Sequence, residues 1–170
     1  MAAGLPDLVD CARLADDAAV LERTYGLRDL PRLKDALAEP QGMLTASFAF
    51  AKTRSGRAGA KVTVAADPQL VCQRCMQGFL WRVTAGSEVE FASSAEPNAG
   101  DGERELFAVE NGLVSLKDLA EEEMLLALPI APACSTPLTC GKAPREVIGG
   151  ARSVDTHRPL GALQDLLKKT

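Results

Sequence analysis

Apolar and polar residues alternate along the middle of the chain. From Gly42 the pattern has a period of two, and after a predicted turn at Ser55-Gly56 a second run places Val62 and Val64 on one face. In the first run four apolar side chains share a face: Leu44, Ala46, Phe48 and Phe50. Alternation of this kind is typical of β-strands that bury one side. The sequence therefore predicts a β-hairpin with one covered face.

Two further alternating runs follow the hairpin. One contains Phe79, Trp81 and Val83, and the other places Val89 and Phe91 opposite Glu88 and Glu90. Strands that follow one another through short turns pair antiparallel. We expect one antiparallel sheet, with Phe79 and Trp81 in the core.

Helical spacing marks three other segments. Asp29 to Leu37 has Pro31 in its first turn, and Ser115 is placed to cap a helix that Pro129 ends. Leucines at 160, 163, 166 and 167 predict a short terminal helix. The fold class is α+β, a single domain over residues 1–170 with a mobile loop around 93–104 and an irregular segment over 131–159. The acidic run Glu121 to Glu123 is expected to form a solvated helix face.

The chain carries no pattern that identifies an enzyme. His157 is the only histidine and has no partner nearby in sequence, and no P-loop, G-x-G-x-x-G or H-E-x-x-H motif occurs. The start lacks the basic and apolar regions of a signal peptide, and the apolar run from Met124 to Cys134 contains two prolines. We expect a soluble cytoplasmic protein, not an enzyme, with no membrane partner and no small-molecule substrate.

Charge is unevenly distributed along the 170 residues. The formal net charge is −4, yet residues 50–85 carry six basic groups and one acidic group, whereas residues 86–123 carry two basic and eleven acidic groups. Five cations near the hairpin and the following turn are candidates for RNA binding: Arg54, Arg57, Lys61, Arg74 and Arg82. Clustered Lys and Arg can bind phosphates, and a solvated hairpin is the alternative reading.

Four of the five cysteines fall in two pairs. Cys72-Gln-Arg-Cys75 lies at a predicted turn, and Cys134 and Cys140 follow the acidic helix. Thiolates at C-x-x-C spacing can converge on a tetrahedral ion, so the four could hold one structural zinc ion. Two alternatives remain, namely unligated semi-buried thiols and a thioredoxin-like redox pair. The fifth cysteine, Cys11, is expected to be structural.

These features together resemble a known family. The string Val71-Cys-Gln-Arg-Cys75, the acidic helix ending Leu126-Ala-Leu-Pro129, Cys140 and the closing Pro159-Leu-Gly-Ala-Leu163 are similar to the YceD family of large ribosomal RNA subunit accumulation proteins. In some relatives a histidine stands near the position of Cys134, an exchange that a zinc ligand tolerates.

The resemblance implies a function in ribosome biogenesis. It points to a non-enzymatic factor in synthesis, processing or stability of the large-subunit (23S) ribosomal RNA, as described for bacterial members with plastid relatives. The partner would be that RNA or a pre-ribosomal particle. The alternative is a protein-interaction adaptor whose acidic segment, residues 86–123, docks a basic ribosomal protein or a processing enzyme without direct RNA contact.

Overall fold

The computed structural model describes residues 7–93, 105–135 and 140. Within these residues a 3₁₀ turn at Leu27–Asp29 accompanies nine β-strands and three α-helices. In chain order they are β1 (Leu8–Asp10), α1 (Cys11–Asp16), β2 (Val20–Gly26), α2 (Pro31–Lys34), β3 (Met43–Lys52), β4 (Ala58–Ala66), β5 (Gln69–Val71), β6 (Gly78–Leu80), β7 (Val83–Ser93), β8 (Glu105–Val109), β9 (Leu113–Ser115) and α3 (Leu116–Ala127).

Five of the strands form one sheet in the order β2-β3-β4-β7-β8. The pairs from β2 to β7 are antiparallel, whereas β8 runs parallel to β7. Two small antiparallel pairs, β1 with β9 and β5 with β6, lie beside it. The predicted α+β class and the largely antiparallel sheet are confirmed, and the parallel β7–β8 pair is an addition to the predicted arrangement.

One face of the sheet is buried, as the alternation predicts. Phe48 on β3 pairs with Val62 on β4, and both side chains are fully buried. Helix α1 packs against β3 and β4, and α3 packs against β4 and β7. The opposite face of the three central strands is buried at Gly59, Glu90 and Ala92 and otherwise mostly open to solvent. The open part carries mostly small residues: Thr45, Ser47, Ala49, Lys61, Thr63, Ala65, Thr84 and Gly86. Because a strand has a period of two, burying one face leaves the other open.

Helix α3 begins as predicted but buries more of its acidic face than expected. The Ser115 hydroxyl accepts a hydrogen bond from the Asp118 N–H at 3.2 Å. The prediction of a solvated face over Glu121 to Glu123 is wrong, because Glu121 is 2% and Glu123 is 7% exposed. Glu122 alone is half-buried and pairs with Arg32.

The burial of Glu121 has a local cause. Helix α2 begins at Pro31, and Leu30 at its N-cap position has no side-chain acceptor for the first free N–H groups. The Glu121 carboxylate supplies one: its Oε1 accepts from the backbone N–H of Arg32 at 2.7 Å and of Leu33 at 2.9 Å. Glu121 therefore acts as the cap of α2 from a different helix.

Other predicted elements differ in extent. The helix expected over Asp29 to Leu37 is limited to α2, and the N-terminal elements β1, α1 and β2 were not predicted. Phe79 and Trp81 meet edge to face at a ring-centroid distance of 6.1 Å. Trp81 packs against the core as expected, whereas Phe79 is half-buried and lies outside the main core cluster. The predicted loop beyond residue 93, most of the irregular segment and the terminal helix lie outside the described residues. No helix in the described ranges combines the length and apolar character that crossing a bilayer requires.

Candidate metal centre and nucleic-acid interface

The first cysteine pair lies in the turn of a small hairpin. Strands β5 and β6 pair in register and are joined by residues 72–77, and we call this whole hairpin the knuckle. The Cys72 N–H donates to the Gln77 carbonyl at 2.9 Å, and the Met76 N–H donates to the Cys72 carbonyl at 2.8 Å. Met76 has φ +60°, the left-handed conformation that tight turns require and non-glycine residues rarely adopt. These bonds fold the turn so that both sulfurs are buried.

The second cysteine pair is brought to the knuckle by the segment after α3. That helix ends at Ala127, and the following residues carry no regular structure. The Gln73 N–H donates to the Pro132 carbonyl at 2.8 Å, and the Cys134 N–H donates to the Cys72 sulfur at 3.4 Å. The Arg74 guanidinium donates to the Cys134 carbonyl at 2.5 Å. Residues 132–134 are thus attached to the knuckle through backbone groups.

Four sulfurs converge where these segments meet. The Sγ atoms of Cys72, Cys75, Cys134 and Cys140, which we call the cysteine cluster, all lie within 4.8 Å of one another. The Cys72 sulfur is 3.6 Å from that of Cys134 and 3.9 Å from that of Cys140. A tetrahedral zinc ion with Zn–S bonds of about 2.3 Å places its ligands roughly 3.8 Å apart. The donor set and its spacing therefore fit such an ion.

Hydrogen bonds within the cluster separate the acidities of its thiols. The N–H of Cys134, together with those of Cys75 and Arg74, lowers the pKa of the Cys72 thiol to about 5. Hydrogen bonding with Cys134 and burial raise the pKa of the Cys140 thiol to about 12. Cys72 is thus the more acidic of these two thiols, and binding of a metal would displace protons from the cluster.

Cys11 stands apart from the cluster. It is 4% exposed in the main core, and its thiol donates to the Gly112 carbonyl at 3.1 Å. Burial raises the pKa of this thiol. These contacts agree with the structural role expected for it.

The structure does not gather the five candidate RNA-binding residues into one patch. Arg54 is exposed in the turn between β3 and β4, and Lys61 is exposed in the middle of β4, opposite Glu88. Arg74 and Arg82 lie near the knuckle, beyond the other end of β4. The nine residues of β4 span about 30 Å at roughly 3.3 Å per residue. A ligand that contacts all five cations would have to follow the whole length of the strand.

Two of these cations, Arg57 and Arg82, form ion pairs with carboxylates. Arg57 lies 3.3 Å from Glu90, and Arg82 lies 3.0 Å from Asp67. Glu90 is fully buried, and its Oε1 also accepts from the Ser55 hydroxyl at 3.0 Å. The alternating pattern placed Glu90 on the solvent side, and no feature of the sequence indicates its burial under the hairpin turn.

The open face of the sheet carries two shallow depressions. One of about 250 Å³ is lined by Lys52, Lys61, Glu88 and mostly small residues, and Lys52 also pairs with Asp16. The other, of about 420 Å³, lies beside Asp67 and Arg82. In each, a cation lies beside a carboxylate. This arrangement provides no uniformly basic groove on the described part of that face.

Comparison with known proteins identifies one family that this sequence matches. A family model for the large ribosomal RNA subunit accumulation protein YceD matches residues 60–167. No curated protein and no solved structure matches the chain. The match begins in β4 and includes the knuckle, α3 and all four residues of the cysteine cluster. Because it spans more than half of the sequence, the chain belongs to the YceD family of large ribosomal RNA subunit accumulation proteins.

Proposed function

We propose that this protein is a non-catalytic factor that sustains the large-subunit (23S) ribosomal RNA through its synthesis, processing or stability. The observation that carries the proposal is the family match over residues 60–167, since the family is named for accumulation of that RNA. The matched region contains the cysteine cluster and the three candidate cations Lys61, Arg74 and Arg82. This match supports assigning the proposed function to the part of the chain from residue 60 onward.

We further propose that the cysteine cluster holds one structural zinc ion. Four thiolates favour a soft, tetrahedral metal, and a site closed by four protein ligands leaves no position for a reacting water. The ion would join Cys134 and Cys140 to the knuckle, where the described segment after α3 has only a few backbone hydrogen bonds to hold it. Its contribution would be to the fold rather than to chemistry.

Direct RNA contact would use the cations on and beside β4. Among the five candidates, Arg54 and Lys61 are the best reporters, because both are exposed and neither forms an ion pair within 4.0 Å in the described part of the chain. The other three candidates would also contribute to RNA binding, but each already has a partner within the protein. These pairs are Arg57 with Glu90, Arg74 with the Cys134 carbonyl, and Arg82 with Asp67. Phosphate contacts release counterions, so the affinity for RNA should fall steeply with salt.

The decisive experiment is depletion of the protein in its own cell, with large- and small-subunit ribosomal RNA and their precursors quantified. We expect a selective fall of the large-subunit RNA, restored by the wild-type chain. Restoration should fail with the double variant Arg54→Glu/Lys61→Glu and succeed with Arg28→Glu, a matched reversal at an exposed residue outside the β4 surface. An unchanged ratio of the two RNAs after depletion would refute the proposed function.

A protein-interaction adaptor is the second candidate. Two observations support it. Carboxylates pair with Arg57 and Arg82 near β4, which weakens the attraction of this surface to RNA, and residues 86–123 carry a net charge of −9. Glu121 and Glu123 are buried, so this reading depends on exposed acids such as Glu110 and Asp118. Failure of Glu110→Lys/Asp118→Lys to restore the RNA, with Arg54→Glu/Lys61→Glu still active, would favour the adaptor.

A further inference from the structure

The sulfurs of the cysteine cluster differ in access to solvent although they lie together. Cys72 is 0% and Cys75 is 5% exposed, whereas Cys134 and Cys140 are only partly buried. A small oxidant entering from solvent therefore meets a sulfur of the second pair first. The Cys134 sulfur lies 3.6 Å from that of Cys72 and also forms a hydrogen bond with that of Cys140. The backbone N–H of Cys134 donates to the Cys72 sulfur at 3.4 Å, which holds these two residues together.

We propose that the cysteine cluster is also a peroxide-sensitive site, at which hydrogen peroxide joins Cys134 to Cys72 in a disulfide that replaces the metal as the link between the two segments. The inference rests on the proposed zinc site only for the release of the ion. The disulfide itself requires only the thiols of Cys72 and Cys134. It differs from a thioredoxin-like reaction, because the partner of Cys72 is not Cys75 within the C-x-x-C turn.

The reaction proceeds in two balanced steps. The Cys134 sulfur attacks one peroxide oxygen, so that an S–O bond forms, the O–O bond breaks and one water leaves. The Cys72 sulfur then attacks the Cys134 sulfur, forming the S–S bond and expelling the sulfenic oxygen as a second water, which takes up the proton lost from Cys72. Two sulfurs lose two electrons in total, and the peroxide is reduced to two waters with protons from the thiols or from solvent.

The metal leaves because half of its ligands are consumed. Two thiolates become a disulfide, and the remaining two cannot complete a tetrahedral site. The disulfide links residues 62 positions apart and needs the two sulfurs to approach from 3.6 Å to about 2.05 Å. The Gln73 N–H to Pro132 bond already holds the two segments side by side. Oxidation would therefore keep the segment after α3 attached to the knuckle without metal.

The test uses the full chain carrying Cys11→Ala, which removes the one thiol outside the cluster. The zinc-loaded protein is treated with one equivalent of hydrogen peroxide, released zinc is followed with a chromogenic chelator, and disulfides are mapped by peptide mass spectrometry after alkylation. We expect release of one zinc per chain and a single intramolecular disulfide between Cys72 and Cys134. Cys140→Ser should still form it, and a dithiol reductant with added zinc should reverse it.

Several outcomes would overturn the inference. A disulfide between Cys72 and Cys75 or between Cys134 and Cys140 would do so, as would intermolecular disulfides or sulfinic acid without a disulfide. The oxidised metal-free chain should also melt at a higher temperature than the reduced metal-free chain, and equal melting temperatures would contradict the retained link. If the protein binds no zinc, the proposed metal site fails, yet the disulfide map still decides this inference.

Discussion

The cap that Glu121 provides for α2 allows a quantitative prediction. The perturbation is Glu121→Ala, which removes the acceptor of two backbone N–H groups, on Arg32 and Leu33. The Leu33 N–H lies in a buried environment and would be left without a partner, at about 1–3 kcal/mol. The Arg32 N–H is less buried and can turn to water, so its loss costs about 1 kcal/mol.

The sum is a loss of roughly 3 kcal/mol in the free energy of unfolding. For a chain of this size that corresponds to a fall of about 6–12 °C in the midpoint of thermal unfolding. Glu121→Gln keeps one acceptor oxygen in place and should lose only about 1 kcal/mol. Thermal unfolding followed by circular dichroism, with urea titration for the free energy, measures both variants.

The neighbouring residue provides the matched control. Glu122 pairs with Arg32 across side chains that are 36% and 59% exposed, and such a surface pair contributes at most about 1 kcal/mol. Glu122→Ala should therefore leave the midpoint nearly unchanged. Equal losses for Glu121→Ala and Glu122→Ala, or a change below about 2 °C for the former, would refute the capping argument.

Three further predictions concern the hairpin turn, alkaline pH and the metal. Arg57→Ala should lower the unfolding free energy by about 3 kcal/mol in urea titrations, because Glu90 would remain buried without its cation, whereas Arg54→Ala should leave it within about 0.5 kcal/mol. Burial and the hydrogen bond donated to Asp7 raise the pKa of Tyr25, so this phenol's contribution to stability is complete below its ordinary pKa near 10 and is lost as pH rises above it. Tyr25→Phe should abolish that alkaline loss, and an equal loss in both proteins would contradict it. Removal of metal by a chelator should lower the thermal midpoint of the wild-type chain and leave a variant with all four cluster cysteines changed to serine unaffected.

The period of two was sufficient to predict the central strands. Leu44, Phe48 and Val62 lie on the buried face because a strand with one apolar side can pack in only one register against a helix layer. The role of Ser115 as the N-cap of α3 could also be predicted, because its hydrogen bond is to a residue only three positions away in sequence. Such features depend on residues close together in sequence, so they can be predicted from the order of apolar and polar residues.

The burial of two charged residues could not be predicted from the sequence pattern. Glu121 and Glu90 are acidic residues at positions that a surface helix and a half-exposed strand would place in water. Each is buried because of a partner distant in sequence, the free N–H groups of α2 for Glu121 and the Arg57 guanidinium for Glu90. The prediction that four cysteines come together depended on chemistry rather than on periodicity, because thiols at this spacing suit one ion.

The separation of the cysteine pairs along the chain has a consequence for biosynthesis. A nascent polypeptide emerges N-terminus first, so Cys72 and Cys75 leave the ribosome long before Cys134, which lies 62 residues after Cys72. The hairpins that build β3 and β4 involve near neighbours and can pair during this interval. The cysteine cluster, in contrast, has all four of its thiols only when translation has passed Cys140. Assembly of this site therefore has to wait until the chain as far as Cys140 has been synthesised, after the hairpins of the main sheet have had time to pair.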